Sequence, residues 1–600
     1  MSPAAPYGRT LGAILAFGLV ALFVKYADLL LTYELQPEQL GLVRRVWLAL
    51  RFSWQEFAIV AVLVAIVLAW QRRAPSPGRG TRAALATLRF ALVFGAAVSV
   101  AGIKYYGLYH GHMLFTDFAE NITWALQLAA SADVFESPAI TAGAALGAAV
   151  LLTMPWLGAR LRPVAVRRLG RATCTLMAAM AGVTWMAGRP PLVDARLEPN
   201  PLVWFVWGPY ATFFDLPPVE TLTAIGPQQR LFEVTRPPRN LILVVLESIP
   251  ASALYGYNPE ASAGRRLFEQ YGDDITRFDE IYAVVPISDS TILSLLTGWS
   301  PVPSNAAALK ASAGRPTLGE IFRDRGYYNQ FLLTGPRNAL IAELVDRGFD
   351  RALYQQSVWP NDEKYVRLAW GPDDRVMFDD VGRFLASRPA DAPPFLLVMY
   401  TNNAHHPYQS GLIPGLRDDP DPRVRHALLT GHVLELLTDL YGSLKTSGLA
   451  ESTLVIAFGD HGQAFGEHRG NYVHAKELFR ENMHAPMLLL HPGRLGLPAR
   501  ISQLGSVDDV MPTVLDIMGF PAPPGSGMSL LNEAPNRTLF QMTPFGPGVV
   551  GFRNREFLYT LSRTGRELLF DLAADPSEQH NVADLHPDVV AGFRRRLEVR

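Results

Sequence analysis

Cysteine is almost absent from this 600-residue chain. Cys174 stands alone, which excludes an intrachain disulfide framework and any Cys-based zinc site. Charge is also scarce. Asp, Glu, Lys and Arg make up 18% of residues, with a net charge of -1 and a pI near 6.9. A nucleic-acid surface needs a basic excess, so that class is excluded. There is no internal repeat and no low-complexity tail. What is abundant is apolar: 49% of residues are hydrophobic and the mean hydropathy is +0.12. That is too apolar for an ordinary soluble enzyme and places part of the chain in a membrane.

The apolar excess lies near the amino terminus. Five segments, Leu11–Leu31, Phe52–Trp70, Ala83–Ile103, Ala139–Leu157 and Ala172–Gly188, approach the roughly 20 residues that cross a bilayer core. A cleaved signal peptide is the weaker reading of the first, because its apolar region is long, contains Lys25 and Asp28, and is followed by further spans. Those two residues sit three apart, on one helix face, and can neutralise each other. Basic loops remain in the cytoplasm. Arg72, Arg73, Arg79 and Arg82 follow the second span, and Arg160, Arg162, Arg167, Arg168 and Arg171 follow the fourth. Asp117, Glu120, Asp133 and Glu136 follow the third, while Arg44, Arg45 and Arg51 after the first run against the pattern. An odd number of spans with the amino terminus inside puts everything after Gly188 outside. The expected domains are a five-helix transmembrane domain over 1–188, an interfacial segment and linker over 189–239, and a catalytic domain over 240–600.

Residues 201–214 are rich in Trp, Tyr and Phe, which settle at headgroup depth. Pro237-Pro238 then marks a stiff connector. Beyond it strands alternate with helical patterns at Thr317–Gly326, Val424–Leu444 and Asp508–Gly519. This favours an α/β domain with a mostly parallel central sheet flanked by helices.

Three apolar runs too short for helices read as buried strands. Leu241–Leu246 ends in Glu247, Phe395–Tyr400 is followed shortly by His405-His406-Pro407, and Leu454–Phe458 leads to Asp460-His461-Gly462. The carboxyl edge of a parallel sheet is where ligands bind, and Glu, His and Asp-His delivered there look like a metal site. A hydroxyl cluster, Ser288-Asp289-Ser290-Thr291, precedes an apolar helical stretch. Helix amino termini favour anions such as phosphate, although Ser and Thr are also ordinary helix caps. A bound metal would explain a hydroxyl nucleophile at neutral pH. Nothing resembles a nucleophile elbow, so a serine-protease triad is not expected.

In this order, Leu246-Glu247-Ser248, Ser294-Leu295-Leu296-Thr297-Gly298, His405-His406-Pro407, Asp460-His461-Gly462 and Leu569-Phe570-Asp571-Leu572 resemble the motifs of the sulfatase and alkaline-phosphatase superfamily. The resemblance covers roughly 240–588 and places Ser288 at the family's nucleophile. Conversion to formylglycine in true sulfatases requires Pro or Ala two residues on and Arg four residues on. Here Ser290 and Ile292 stand there, which argues against sulfate-ester hydrolysis. Five spans ahead of such a domain resemble lipoteichoic acid synthases and lipid A phosphoethanolamine transferases, where a threonine holds the place of Ser288. The cysteines common in the phosphoethanolamine branch are missing, so phosphoglycerol is open as well.

The resemblance implies that Glu247, Asp460, His461 and the Ser288 oxygen hold one divalent metal, with Zn or Mn favoured over Mg by mixed O and N donors. His405 and His474 resemble residues that contact phosphate or the leaving oxygen, as general acid or as ligands of a second metal. Five of the 13 histidines lie between His461 and His491, and His484 and His468 are further candidates, while His406 reads as structural. Arg337 is a candidate to grip phosphate or a solvated loop residue; Thr291 binds the transferred group or caps its helix. The expected activity is transfer of phosphoethanolamine or phosphoglycerol from a phospholipid donor to a glycan or lipid acceptor through Ser288, at the outer face of a bacterial inner membrane. A membrane-anchored phosphodiesterase or sulfatase-like hydrolase, and a silent sensor or scaffold, are the alternatives.

Overall fold

A computed structural model of the chain describes residues 5–31, 53–109, 138–186 and 222–598, less short stretches of the last segment, of which 360–366 is the longest. The chain forms two compact units: residues 1–213 and, apart from 545–547, residues 214–600. The loops holding Arg44, Arg45 and Arg51 and the acids of 117–136, the aromatic stretch 201–214, and the side chains of Lys25 and Asp28 lie outside the described residues.

The first unit contains α1 (Ala5–Leu31), α2 (Trp54–Arg73), α3 (Arg79–Tyr109), α4 (Pro138–Ala159) and α5 (Pro163–Met186), one helix at each apolar segment of the sequence. Among the described residues, Ala5–Leu22 and Gln55–Arg73 are long and apolar enough to cross a bilayer. α5 begins earlier than its apolar run. Pro163 is preset for the first helical position, so Arg167, Arg168 and Arg171 lie on the helix instead of in a loop. α1 packs against α3 and α4, and α2 against α5. Gly8 and Gly12 make the α1–α4 approach possible: a Cβ on either would lie 2.0 Å from the Gly158 oxygen or 2.2 Å from the Met154 oxygen. Small residues four apart are how helices pack when lipid removes the hydrophobic drive between them. Phe90 and Leu152 face outward, and Thr10, Glu56 and Gln71 are buried beside an apolar core of Tyr7, Leu11, Ile14 and Phe17.

The second unit is built on eight strands. They are β1 (Asn240–Leu246), β2 (Ile275–Tyr282), β3 (Tyr328–Leu333), β4 (Arg351–Leu353), β5 (Phe395–Tyr400), β6 (Thr453–Gly459), β7 (His484–Leu490) and β8 (Arg500–Ser506). Their spatial order is β8-β2-β7-β6-β1-β5-β3-β4. All are parallel except β7, which runs against both neighbours. The sheet is therefore mixed. Between β6 and β7 the described residues form a short antiparallel pair, Ala464–Phe465 with Tyr472–Val473, and the four-residue helix Arg480–Met483, which is too short for a crossover, so the chain turns back antiparallel.

Side chains alternate across a strand, and β1 shows the result. Leu241, Leu243 and Val245 join a core with α6 (Ser288–Thr297), α7 (Leu318–Arg323) and α10 (Val510–Ile517). Ile242, Val244 and Leu246 join a second core, on the opposite face, with α8 (Arg375–Ala386) and α9 (Pro422–Thr446). Helices on both faces explain why these strands are uniformly apolar. α7 starts with a Thr317–Glu320 capping box. A separate antiparallel sheet, β9 (Leu539–Thr543), β10 (Val549–Arg553), β11 (Phe557–Ser562) and β12 (Glu567–Asp571), follows. α11 (Pro587–Glu598) packs on it through Val590 and Phe593. The alternation of strands and helices read from the sequence does not include this sheet, whose strands are only five or six residues long.

Candidate metal centre and nucleophile

The register of β1 places the site. Leu246 pairs with Gly459 and Val245 with Tyr400, so Glu247 and Asp460 leave adjacent parallel strands at the same level, with Thr401 on the third strand one residue behind. Glu247 is buried, and its amide donates to Thr401 Oγ1 at 3.1 Å. The chain then turns sharply through Ser248, at φ 57, a left-handed conformation that costs a non-glycine residue about 1–2 kcal/mol. Three hydrogen bonds hold it there. The Ser248 amide donates to Asp460 Oδ1 at 2.9 Å, its hydroxyl donates to Glu247 Oε1 at 2.8 Å, and its carbonyl accepts from His426 Nε2 at 2.8 Å. Burial pushes the His426 pKa down to about 4, so this imidazole is a neutral donor.

His461 is oriented by its own backbone. Nδ1–H donates to the Gly462 carbonyl at 2.9 Å, which leaves the Nε2 lone pair facing inward. Glycine is required at 462, where a Cβ would lie 2.1 Å from the Glu481 oxygen. Nε2 stands 3.2 Å from Asp460 Oδ2, 3.8 Å from Glu247 Oε1 and 3.3 Å from Ser288 Oγ. Ser288, half-buried, is the first residue of α6, and its hydroxyl donates to Glu247 Oε1 at 3.0 Å. The helix dipole therefore adds positive potential at the nucleophile.

These donors suit a cation. Ligand atoms of Glu247, Asp460 and His461 lie within 4.8 Å of one another, and burial first, then the charge of Asp460, pushes the Glu247 pKa well up. A cation would relieve both effects. Zinc bonds of 2.0–2.2 Å in a tetrahedral site set ligand atoms about 3.3–3.6 Å apart, close to the separations above. Two carboxylates, one imidazole and a hydroxyl suit Zn or Mn.

The other predicted residues separate into two groups. His474 stacks on His461, with centroids 4.2 Å apart, and His405 lies 6.0 Å from His474. His405 Nδ1–H donates to the His406 carbonyl at 2.7 Å, which turns its Nε2 away from the backbone, and burial lowers its pKa. These two imidazoles flank the cluster. Thr291 adjoins it differently, since its buried hydroxyl donates to the Asp460 carbonyl at 3.1 Å and braces a proposed ligand.

His484, by contrast, belongs to the sheet. Its Nε2–H donates to the Asp279 carbonyl at 2.8 Å and its ring stacks on Tyr282, and burial lowers its pKa well below the usual range. Arg337 is half-exposed and paired with Asp346 at 3.3 Å. His468 joins Glu481 Oε1 to the Glu578 carbonyl, a structural tie, and His406 packs edge-on against Tyr408.

Two groups escaped sequence reasoning. Tyr400 ends a buried strand and donates to Asp460 Oδ2 at 2.6 Å. Its only signal was a hydroxyl closing an otherwise apolar run. Asp374, fully buried, accepts from Thr334 and from the amides of Asn402 and Asn403. It clamps the loop that presents His405, and burial pushes its pKa up to about 7.

Residues 239–520 match the family model described as Sulfatase. The chain is 23% identical over 405 residues to the ulvan-active sulfatase of Formosa agariphila, covering 58% of this chain and 78% of that protein. It is 30% identical over 182 residues to arylsulfatase K of Bos taurus, covering 27% of this chain and only 33% of the relative. Among solved structures, a Vibrio parahaemolyticus protein of the alkaline phosphatase superfamily aligns at 18% identity and TM-score 0.49, covering 64% of this chain and 91% of that one. The lipoteichoic acid synthase LtaP of Listeria monocytogenes aligns at 17% and 0.46, covering 62% and 98%.

Proposed function

Because residues 239–520 are a domain of the sulfatase family, we propose that the protein is a membrane-anchored transferase. It moves phosphoethanolamine or phosphoglycerol from a phospholipid to a glycan or lipid acceptor through a covalent Ser288 intermediate. The observation that carries this reading is the Ser288 hydroxyl, at a helix amino terminus, 3.0 Å from Glu247 and 3.3 Å from His461. A divalent cation held by Glu247, Asp460, His461 and Ser288 would neutralise the carboxylates and lower the pKa of the hydroxyl. Ser288 Oγ attacks phosphorus as its proton leaves toward Glu247 Oε1, and the bond from phosphorus to the diacylglycerol oxygen breaks. His405 and His474 flank the cluster, and one of them, protonated on both ring nitrogens, contacts the phosphate and gives a proton to the leaving diacylglycerol oxygen. An acceptor hydroxyl then attacks phosphorus, its proton passing to the imidazole that had protonated the diacylglycerol oxygen, while the bond from phosphorus to Ser288 Oγ breaks and that oxygen recovers the proton from Glu247.

The five helices support a lipid donor that never leaves the bilayer. The basic residues after the second and fourth segments support a cytoplasmic amino terminus and a catalytic domain on the extracytoplasmic side of the inner membrane. The sulfatases among its relatives favour a second reading, hydrolysis with water as acceptor. Ser290 and Ile292 stand against the formylglycine form of that chemistry.

The test is incubation of the full chain, in vesicles, with phosphatidylethanolamine or phosphatidylglycerol labelled in the head group. A label retained on wild type and absent from Ser288→Ala supports transfer. Free phospho-alcohol formed without acceptor product supports the hydrolase, and undiminished turnover by Ser288→Ala would end both.

A further inference from the structure

Asp460 offers two oxygens, and they are used differently. Oδ1 accepts the amides of Ser248 and His461 at 2.9 and 2.8 Å, so backbone holds it on one side. Oδ2 faces His461 Nε2 at 3.2 Å and is the oxygen turned toward the nucleophile. Among the described residues no backbone amide donates to Oδ2, so the backbone fixes only the Oδ1 side of the carboxylate. The Tyr400 hydroxyl supplies the missing restraint, donating to Oδ2 at 2.6 Å. Its ring is 1% exposed and locked in the core beside Val245 and Val398, so the hydroxyl has a fixed address.

We propose that Tyr400 is a positioning residue for the cation site. Its phenol fixes the Oδ2 lone pair that ligates the ion, with the oxygen accepting from the phenol on one side and facing the ion on the other. Partners of this kind typically contribute 10–100-fold to metal affinity. The inference rests on the cation site and is independent of which group is transferred.

Tyr400→Phe deletes the hydroxyl and keeps the ring. The full-length chain in detergent, stripped of metal, would be titrated with Zn²⁺ alone by calorimetry, with Asp460→Asn as the ligand-deletion control. Wild type should bind, Asp460→Asn should not, and Tyr400→Phe should bind about 10–100-fold more weakly. Far-ultraviolet circular dichroism of the two metal-free proteins should coincide. Equal affinity in wild type and Tyr400→Phe would overturn the role of the phenol while leaving the cation site standing. Absence of Zn²⁺ binding to wild type would overturn both, and an altered metal-free spectrum would assign Tyr400 to general stability instead.

Discussion

Thr291→Val separates bracing from substrate contact. The sequence allowed Thr291 to touch the transferred group or to cap its helix, and the structure points its hydroxyl at the Asp460 carbonyl, 3.1 Å away in a buried setting. Valine keeps the branched shape and removes only the donor. The loss of one net hydrogen bond costs about 1 kcal/mol, and leaving its buried partner short of a donor raises the total to about 1–3 kcal/mol. In melting experiments on the full chain in detergent, each kcal/mol is worth about 2–4 °C for 150–250 residues and less for a larger unit. The metal-free variant should therefore melt several degrees below wild type and bind Zn²⁺ more weakly, with Thr291→Ser close to wild type. A residue that gripped substrate would instead raise KM and leave metal-free stability unchanged. Melting within about 0.5 kcal/mol of wild type, the scale of an ordinary surface substitution, together with a raised KM would refute the bracing role.

Zn²⁺ or Mn²⁺ at 100 times its dissociation constant should stabilise wild type by about 2.7 kcal/mol, read as a rise in melting temperature that chelator reverses and Asp460→Asn lacks. Asp374 sets a pH dependence. Burial raises its pKa to about 7 from an ordinary 3.8, so the folded chain holds this proton longer than the unfolded one does. The stability so gained is complete below about pH 4 and is lost as pH rises through about 7. Between pH 5 and 7 it should fall by about 2 kcal/mol, and the fall should shrink by that amount in Asp374→Asn, measured by urea unfolding at both values. Glu578→Gln strands the buried Arg553 guanidinium, now paired at 2.6 Å, and should cost about 3–5 kcal/mol in the same assay; a loss under about 1 kcal/mol would show that the pair contributes little.

Much of the architecture was legible because it is local. An unbroken apolar run of five or six residues, ending in Glu247 or Asp460-His461, is both a doubly covered strand and a statement about its carboxyl end. Order along the chain identified the Ser288 helix and the five amino-terminal helices. Individual histidines were less legible. His474 and His484 are ten residues apart in one histidine-rich stretch, yet one stacks on His461 and the other bonds the Asp279 carbonyl. Composition could not separate them, because the antiparallel return of β7 decides which reaches the site.

Residue type and short-range periodicity alone set the strands, the motif order and the identity of the acids, imidazole and hydroxyl, since each depends on neighbours only a few residues away. The tertiary structure decided who meets whom. Tyr400 and Asp460 are 60 residues apart and meet because β5 and β6 flank β1 in a common register. Gly8 and Gly158, far apart in the chain, meet because α1 and α4 pack backbone to backbone. A hydrogen bond is made within about 3 Å, and that proximity follows from strand order and helix packing, which no local pattern contains.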